Sequence, residues 1–233
     1  MPESALAAIV PDRMWTMNRP VWFSGVRLRA RTTIVRLDDG GLLVHSPAPP
    51  TDALAHELQT LGPVRWLVVP NCFHHLGTPA AKARFPEAKV VGPASALSKN
   101  PALRIDVDIA QLGAQLPELE VLPLAGVPFL DETVLHHRPT RTLLGADLVL
   151  CAHAQDHWTW RWAARVMGCY ERLRVPPDVK KQIVDKVAAA RSVAAILERP
   201  AARLVVAHAD VVEDGWRERV AEAWRREGVE VAA

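Results

Sequence analysis

The sequence has few cysteines, and they do not form a pattern that would cross-link a small fold or hold a structural metal. Of its 233 residues only Cys72, Cys151 and Cys169 are cysteine, and no two of them have CxxC spacing. An odd, unpatterned set indicates neither a disulfide framework nor a zinc knuckle. We therefore expect a protein of a reducing cytoplasm, in which the 49% of hydrophobic residues suffice to form a core.

The chain also lacks a strong excess of charge and lacks long apolar runs. Lys and Arg total 28 against 26 for Asp and Glu, and they are interspersed, so no nucleic-acid partner is indicated. No apolar run approaches the roughly 20 residues that span a bilayer, and residues 1–12 lack the features of a signal peptide. We expect neither secretion nor membrane insertion. No repeat or linker interrupts the chain, which predicts one domain over residues 1–233.

What the chain does have is an alternation of short strands with helices, which predicts helices layered on mixed sheets. Strands are predicted at 32–37, 42–44, 66–69, 88–91, 120–124, 133–137, 142–150 and 203–207. Helices are predicted to begin at Thr51 or Asp52 and to cover 78–85 and 176–197. A further helix is expected to begin after Asp156 as its N-cap, with Trp158 and later apolar residues on its buried face.

Candidate metal ligands stand at the ends of three predicted strands. His74 and His75 follow the apolar run at 66–69, Asp147 lies in Gly-Ala-Asp-Leu, and His208 follows the strand at 203–207. Imidazole and carboxylate groups from separate loops suit zinc, iron or manganese, with zinc the first choice. Such an ion would lower the pKa of a bound water, which would become the nucleophile.

The order of these motifs resembles the metallo-β-lactamase superfamily over residues 14–228. In detail the chain is similar to a poorly characterised branch of it, a domain-of-unknown-function group. The matching positions are Trp15, Leu37, Gly41, His45-Ser46-Pro47, His136 to Leu143, and Asp147-Leu148. The resemblance implies an αββα sandwich with its site on one rim, in which His75, Asp147 and His208 are metal ligands.

The chain departs from the family pattern at one of the two metal subsites. Members with two metals carry His-x-His-x-Asp-His in the first loop. Aligning the last His on His75 puts Pro70, Cys72 and His74 at the two preceding His positions and the Asp position. A further family His would fall near Val127, which offers no ligand. We therefore expect at most one metal ion, with His74 as an additional ligand or as a general base.

Two hypotheses about function follow. The first is a hydrolase with one divalent metal that activates water against an ester, thioester, amide or phosphoester. The second is a catalytically inactive descendant that binds a small ligand or a protein partner in the old cleft. Metal-dependent redox chemistry is a third reading, which the incomplete ligand set disfavours. The substrate and the oligomeric state are not indicated.

The remaining histidines, cysteines and arginines have structural interpretations. Cys72 is interpreted as a small buried hydrophobe. His136 and His137 are neighbours on a strand, so one is expected to face the core or cleft and the other to face away. Arg138 and Arg141 flank a turn and are interpreted as solvated residues.

Overall fold

The larger of two sheets has seven strands that lie side by side in sequence order. The structure is a computed structural model that describes residues 6–231, so the prediction about residues 1–12 falls partly outside it. The strands are β1 Ala7–Val10, β2 Met14–Phe23, β3 Val26–Arg36, β4 Leu42–His45, β5 Val64–Val68, β6 Lys89–Gly92 and β7 Val107–Asp108. Pairing is antiparallel from β1 to β4 and parallel from β4 to β7, so this sheet is mixed.

The smaller sheet contains four strands, which are β8 Leu119–Pro123, β9 Thr133–His137, β10 Thr142–Leu144 and β11 Arg203–Val205. Their spatial order is β11, β10, β9, β8. The strands β8, β9 and β10 form an antiparallel meander, and β11 joins β10 in parallel. The parallel pair makes β10 and β11 end at the same edge of the sheet.

Eight α-helices are present in the described part of the chain. They are α1 Asp52–Leu61, α2 Thr78–Arg84, α3 Ser95–Lys99, α4 Leu112–Gln115, α5 Trp158–Met167, α6 Pro177–Lys180, α7 Lys186–Leu197 and α8 Trp216–Arg225. The first begins as predicted, because the hydroxyl of Thr51 accepts a hydrogen bond from the Leu54 N–H. None of these helices is long and apolar enough to cross a membrane.

Separate clusters of buried apolar side chains hold the layers together. Between the sheets, Leu43 and Val68 pack in one cluster with Leu135 and Leu144. A second cluster joins the outer face of the larger sheet to α1, α2 and α3, and a third joins the smaller sheet to α7 and α8. The arrangement is an αββα sandwich, which confirms the predicted fold class.

The strand β10 is shorter than the predicted strand over 142–150. It ends at Leu144 because the following backbone turns toward the carboxylate of Glu132. One oxygen of that carboxylate accepts hydrogen bonds from the N–H groups of Ala146 and Leu148, at 2.8 and 3.2 Å. These two N–H groups are therefore not used in a strand ladder, and the chain after β10 forms a loop.

Two helices begin at other residues than the sequence suggested. The predicted helix over 176–197 is divided into α6 and α7, because Asp185 caps a new helix by accepting hydrogen bonds from the backbone N–H groups of the first turn. The predicted cap Asp156 is also wrong. The residue before α5 is His157, whose ring nitrogen accepts from the N–H of Thr159.

The helix α5 buries a different face from the predicted one. Trp158, Trp162 and Val166 were expected to pack inward, but they are 65%, 68% and 73% exposed. Trp160 and Ala164 are buried instead. These two residues belong to a small apolar cluster to which the start of β3 contributes, so the position of that strand decides which face of α5 is buried. An apolar stripe at helical spacing could not distinguish the two faces.

His136 and His137 are both buried, which corrects the expectation that one of them faces away. Their exposed fractions are 2% and 0%. Successive strand residues point to opposite faces of a sheet. The strand β9 lies inside the smaller sheet, which is covered by the larger sheet on one face and by helices on the other, so both imidazoles are excluded from water.

We expect the free energy of unfolding to fall as the pH is lowered from about 7 to about 4. Burial lowers the pKa of His137 to about 4, whereas a histidine in an unfolded chain titrates near ~6.5. Below the unfolded pKa, the unfolded chain takes up a proton that the folded chain excludes, so stability is lost until the folded pKa is passed. Urea unfolding at two pH values should show a smaller loss for His137→Gln than for the exposed control His56→Gln. Equal losses in both variants would contradict this account.

Candidate functional site

Three side chains from three strand ends meet at one edge of the sandwich. His74 follows β5 of the larger sheet, while Asp147 and His208 follow β10 and β11 of the smaller one. The Nε2 atom of His74 lies 3.2 Å from Oδ2 of Asp147, and Nε2 of His208 lies 3.5 Å from Oδ1. One ligand atom from each residue lies within 4.8 Å of the others, which is close enough for one metal ion. We call these three residues the triad.

The orientation of His208 is fixed by a backbone carbonyl. Its Nδ1 lies 2.7 Å from the carbonyl oxygen of Arg29 in β3. A carbonyl oxygen can only accept, so Nδ1 carries the proton and donates it. The neutral ring then directs the lone pair of Nε2 at a carboxylate oxygen of Asp147. Two such electron-rich atoms repel unless a cation, either a proton or a metal ion, lies between them.

His74 is held by a hydroxyl on the neighbouring loop. Its Nδ1 lies 2.6 Å from Oγ of Ser46, the residue directly after β4. The backbone of Ser46 has a positive φ of 55°, which is rare for a residue with a side chain and is typical of functional sites. This turn is stabilised because Ser46 donates its N–H to Val68 and accepts from the hydroxyl of Thr32.

Asp147 and His74 are positioned by the same side chain, Asn71. The amide nitrogen of Asn71 donates to Asp147 at 2.8 Å and to Glu132 at 3.1 Å. Its amide oxygen accepts the N–H groups of Phe73 and His74, each at 2.9 Å. These two hydrogen bonds to the side-chain oxygen stabilise a tight turn in the loop after β5. Asn71 is fully buried and therefore acts as a rigid support for the triad.

Glu132 supports the loop that carries Asp147. It is 1% exposed, and its two oxygens accept the N–H groups of Ala146, Asp147 and Leu148 as well as the amide of Asn71. Sequence reasoning missed both Glu132 and Asn71. The Asn before the histidines is a recognisable loop-turning residue, whereas no local pattern marks the importance of Glu132.

The buried carboxylates have strongly shifted pKa values. Burial and the neighbouring charge of Asp147 raise the pKa of Glu132 to about 7. Burial alone would also raise the pKa of Asp147, but His74, His208 and Asn71 outweigh it and hold that pKa below its usual range. The negative charge of this site is therefore concentrated on Asp147, between the two imidazoles.

Solved structures with the same architecture are numerous and include metallo-β-lactamases. The enzyme from Pontibacter korlensis matches with a TM-score of 0.65 and 15% identity, covering 94% of this chain and 98% of its own. FIM-1 from Pseudomonas aeruginosa, in its mono-zinc form, gives 0.68 and 12%, with 96% of each chain covered. The enzyme from Hirschia baltica gives 0.65 and 10%, with 94% and 96% covered. This protein has the metallo-β-lactamase fold.

The sequence itself matches one family model, over part of the chain. The family model described as "Domain of unknown function (DUF4336)" matches residues 11–99. That segment holds β2 to β6 and includes His74, but it ends before Asp147 and His208. No curated protein sequence matches the chain.

Of the four ligands proposed from the sequence, the triad contains His74, Asp147 and His208, and His75 lies outside it. His75 is 5% exposed, and its Nδ1 lies 3.4 Å from the side-chain amide of Asn100, outside the triad. Neighbouring side chains in a loop point apart, and the Asn71 turn directs the first of the two histidines inward.

The other candidate ligands of the sequence lie apart from the triad. The thiol of Cys72 is 2% exposed and donates to the carbonyl oxygen of Phe129 at 3.1 Å. Burial raises the pKa of this thiol to about 11, so it stays protonated at neutral pH. Val127 is buried in an apolar cluster. His136 and His137 lie within β9 and do not join the triad.

A cleft of about 410 Å³ opens beside the triad, and His74, Asp147 and His208 all line it. The β2–β3 hairpin, the loop after β5 and the segment around α6 form its walls. Its volume lies within the ~300–1,000 Å³ typical of small-molecule sites. A small molecule bound there would lie against the triad.

We expect Glu132→Gln to destabilise the protein by about 2 kcal/mol, because an amide NH₂ would replace an oxygen that accepts backbone N–H groups. Urea unfolding in the presence of EDTA would measure this loss without any contribution from metal. The exposed carboxylate variant Glu87→Gln is the control and should unfold like the unaltered protein. A Glu132→Gln variant as stable as this control would show that the carboxylate does not support the loops.

Proposed function

We propose that the protein is a hydrolase that uses one zinc ion held by His74, Asp147 and His208. The observation that carries this proposal is the meeting of three ligand atoms from three strand ends, each within 4.8 Å of the others. Two imidazoles and one carboxylate, with an open position left over, are the ligands of catalytic zinc sites. Similar proteins include one described in a mono-zinc form, so a single ion is compatible with the fold.

The ion would supply a water made acidic by coordination. The protein's own residues would fix the positions of the metal ligands and of the substrate. Arg29 fixes the proton of His208 on Nδ1, and Ser46 contacts Nδ1 of His74, so both Nε2 atoms face Asp147. Asn71 and Glu132 keep the carboxylate in place, and the cleft beside the triad would receive the substrate. Ligands held before the ion arrives need little rearrangement to bind it.

A single ion is favoured because the second subsite lacks ligands. Among residues 6–231, His74, Asp147 and His208 form the one group of at least three His, Cys, Asp or Glu side chains that meets the distance requirement for a shared ion. Pro70 and Val127 stand at ligand positions of the family pattern and offer no side-chain ligand. The three buried, unpaired cysteines fit a reducing compartment, and we infer a cytoplasmic location.

A catalytically inactive, ligand-binding protein is the second candidate function. It is favoured by the contact between His74 and Asp147, which is short enough for a protonated imidazole to pair with the carboxylate without a metal. The charge of Asp147 opposes the effect of burial and raises the pKa of His74 above its ordinary value. In this case a proton, and not zinc, would neutralise the triad.

The metal content of the purified, untagged protein distinguishes the two candidates. We expect about one zinc ion per chain by mass spectrometry, and its loss in His74→Ala, Asp147→Ala and His208→Ala. The matched control is His75→Ala, which removes the adjacent imidazole and should keep the ion. Circular dichroism would confirm that each variant is folded. Folded protein that contains no metal and takes up neither zinc nor manganese would refute the hydrolase and support the inactive protein.

A further inference from the structure

The cleft beside the triad is lined mainly by apolar side chains. They come from both strands of the β2–β3 hairpin and from the elements that face it. Six of them are Val21, Phe23, Val26, Leu150, Trp160 and Met167. A wall of this kind favours an apolar ligand body, because each methylene group transferred from water contributes about 0.8 kcal/mol in model systems.

One cationic side chain, Arg19 of β2, lines the same cleft. It is partly buried, and burial lowers the pKa of its guanidinium group. The backbone of Arg19 pairs with Ala30 in the hairpin, but its guanidinium group forms no hydrogen bond or ion pair within the described part of the chain.

Other arginines of the hairpin differ from Arg19 in this respect. Arg29 forms ion pairs with Asp156 and Asp210, at 3.4 and 2.6 Å. Arg31 is 5% exposed and donates to backbone carbonyl oxygens of the loop after β11. Both have structural partners, whereas Arg19 faces the cleft without one. A partly buried cation without a partner is unfavourable, and an anionic ligand would relieve this desolvation.

The remaining charges of the cleft are acidic and few. Asp147 belongs to the triad, and Asp178 is exposed at the start of α6. Among residues 6–231, no lysine and no second arginine line the cleft. A single guanidinium matches a single negative charge, and its planar fork fits a carboxylate. A phosphate dianion carries two negative charges, and this guanidinium would neutralise only one of them.

We propose that the cleft binds a monocarboxylate with an apolar chain, whose carboxylate pairs with Arg19 while the chain lies along the apolar wall. This proposal names the substrate class of the proposed hydrolase. It rests on the proposed function for the reaction, but not for the binding. The substrate would be an apolar acyl compound that carries a carboxylate and presents its hydrolysable bond to the triad. Binding itself needs no metal, so it can be tested separately.

Binding of octanoate, decanoate and decanol to the full-length protein tests this proposal by titration calorimetry, both as purified and after EDTA treatment. We expect decanoate to bind more tightly than decanol, and octanoate to bind roughly tenfold more weakly than decanoate. Arg19→Gln should weaken decanoate binding about tenfold and leave decanol unchanged. Arg27→Gln, on an exposed residue of the same hairpin that does not line the cleft, is the matched control.

Three results would overturn the proposal. They are the absence of decanoate binding, equal binding of decanoate and decanol, and an equal loss of decanoate affinity in Arg19→Gln and Arg27→Gln. Because the EDTA-treated protein is included, the outcome does not depend on whether zinc occupies the triad. Carboxylate binding by a protein that never takes up metal would support this cleft and refute the hydrolase, so the two failures are distinguishable.

Discussion

The candidate site depends on the hydrogen bonds that the buried carboxylate of Glu132 accepts. It lies just before β9 and gathers the N–H groups of the loop after β10 together with the amide of Asn71 from the loop after β5. One acidic group therefore connects the two sheets at the edge where the triad lies. A buried carboxylate is tolerated only when its oxygens are hydrogen-bonded, and those bonds determine the course of both loops.

Further contacts between the sheets surround this connection. The carbonyl of Pro70 accepts a hydrogen bond from the N–H of Thr133, and Arg31 of the larger sheet reaches the carbonyls of Val206 and Ala209. The loop that carries His208 is thereby tied to β3. Two imidazoles and a carboxylate from different sheets can stay within ligand distance because the sheets cannot slide at this edge.

The layered fold and the strand ends that carry the triad could be predicted from the sequence. Apolar runs such as the one in β5 mark strands covered on both faces, and polar residues after such strands mark a site. The choice between His74 and His75 could not be predicted, since it depends on a turn made by Asn71. The buried face of α5 likewise depends on the neighbouring strand β3. Long-range contacts decided these features, and local periodicity does not contain them.

The β2–β3 hairpin is longer than the sheet that supports it. Only residues 33–36 of β3 pair with β4, so the remainder of β3 has β2 as its strand partner and projects past β4 as an arm, with Arg31 donating its N–H to the carbonyl of Ala207. The inner side of this arm carries Arg19 and part of the apolar wall. Residues of β3 within this arm hold the loop that carries His208, whereas the β2 side chains that line the cleft, such as Arg19 and Val21, make none of these contacts. Substitutions on the cleft side of β2 can therefore change which substrate is recognised and leave the triad in place, so descendants of one ancestor could diversify their substrates by changing this one strand.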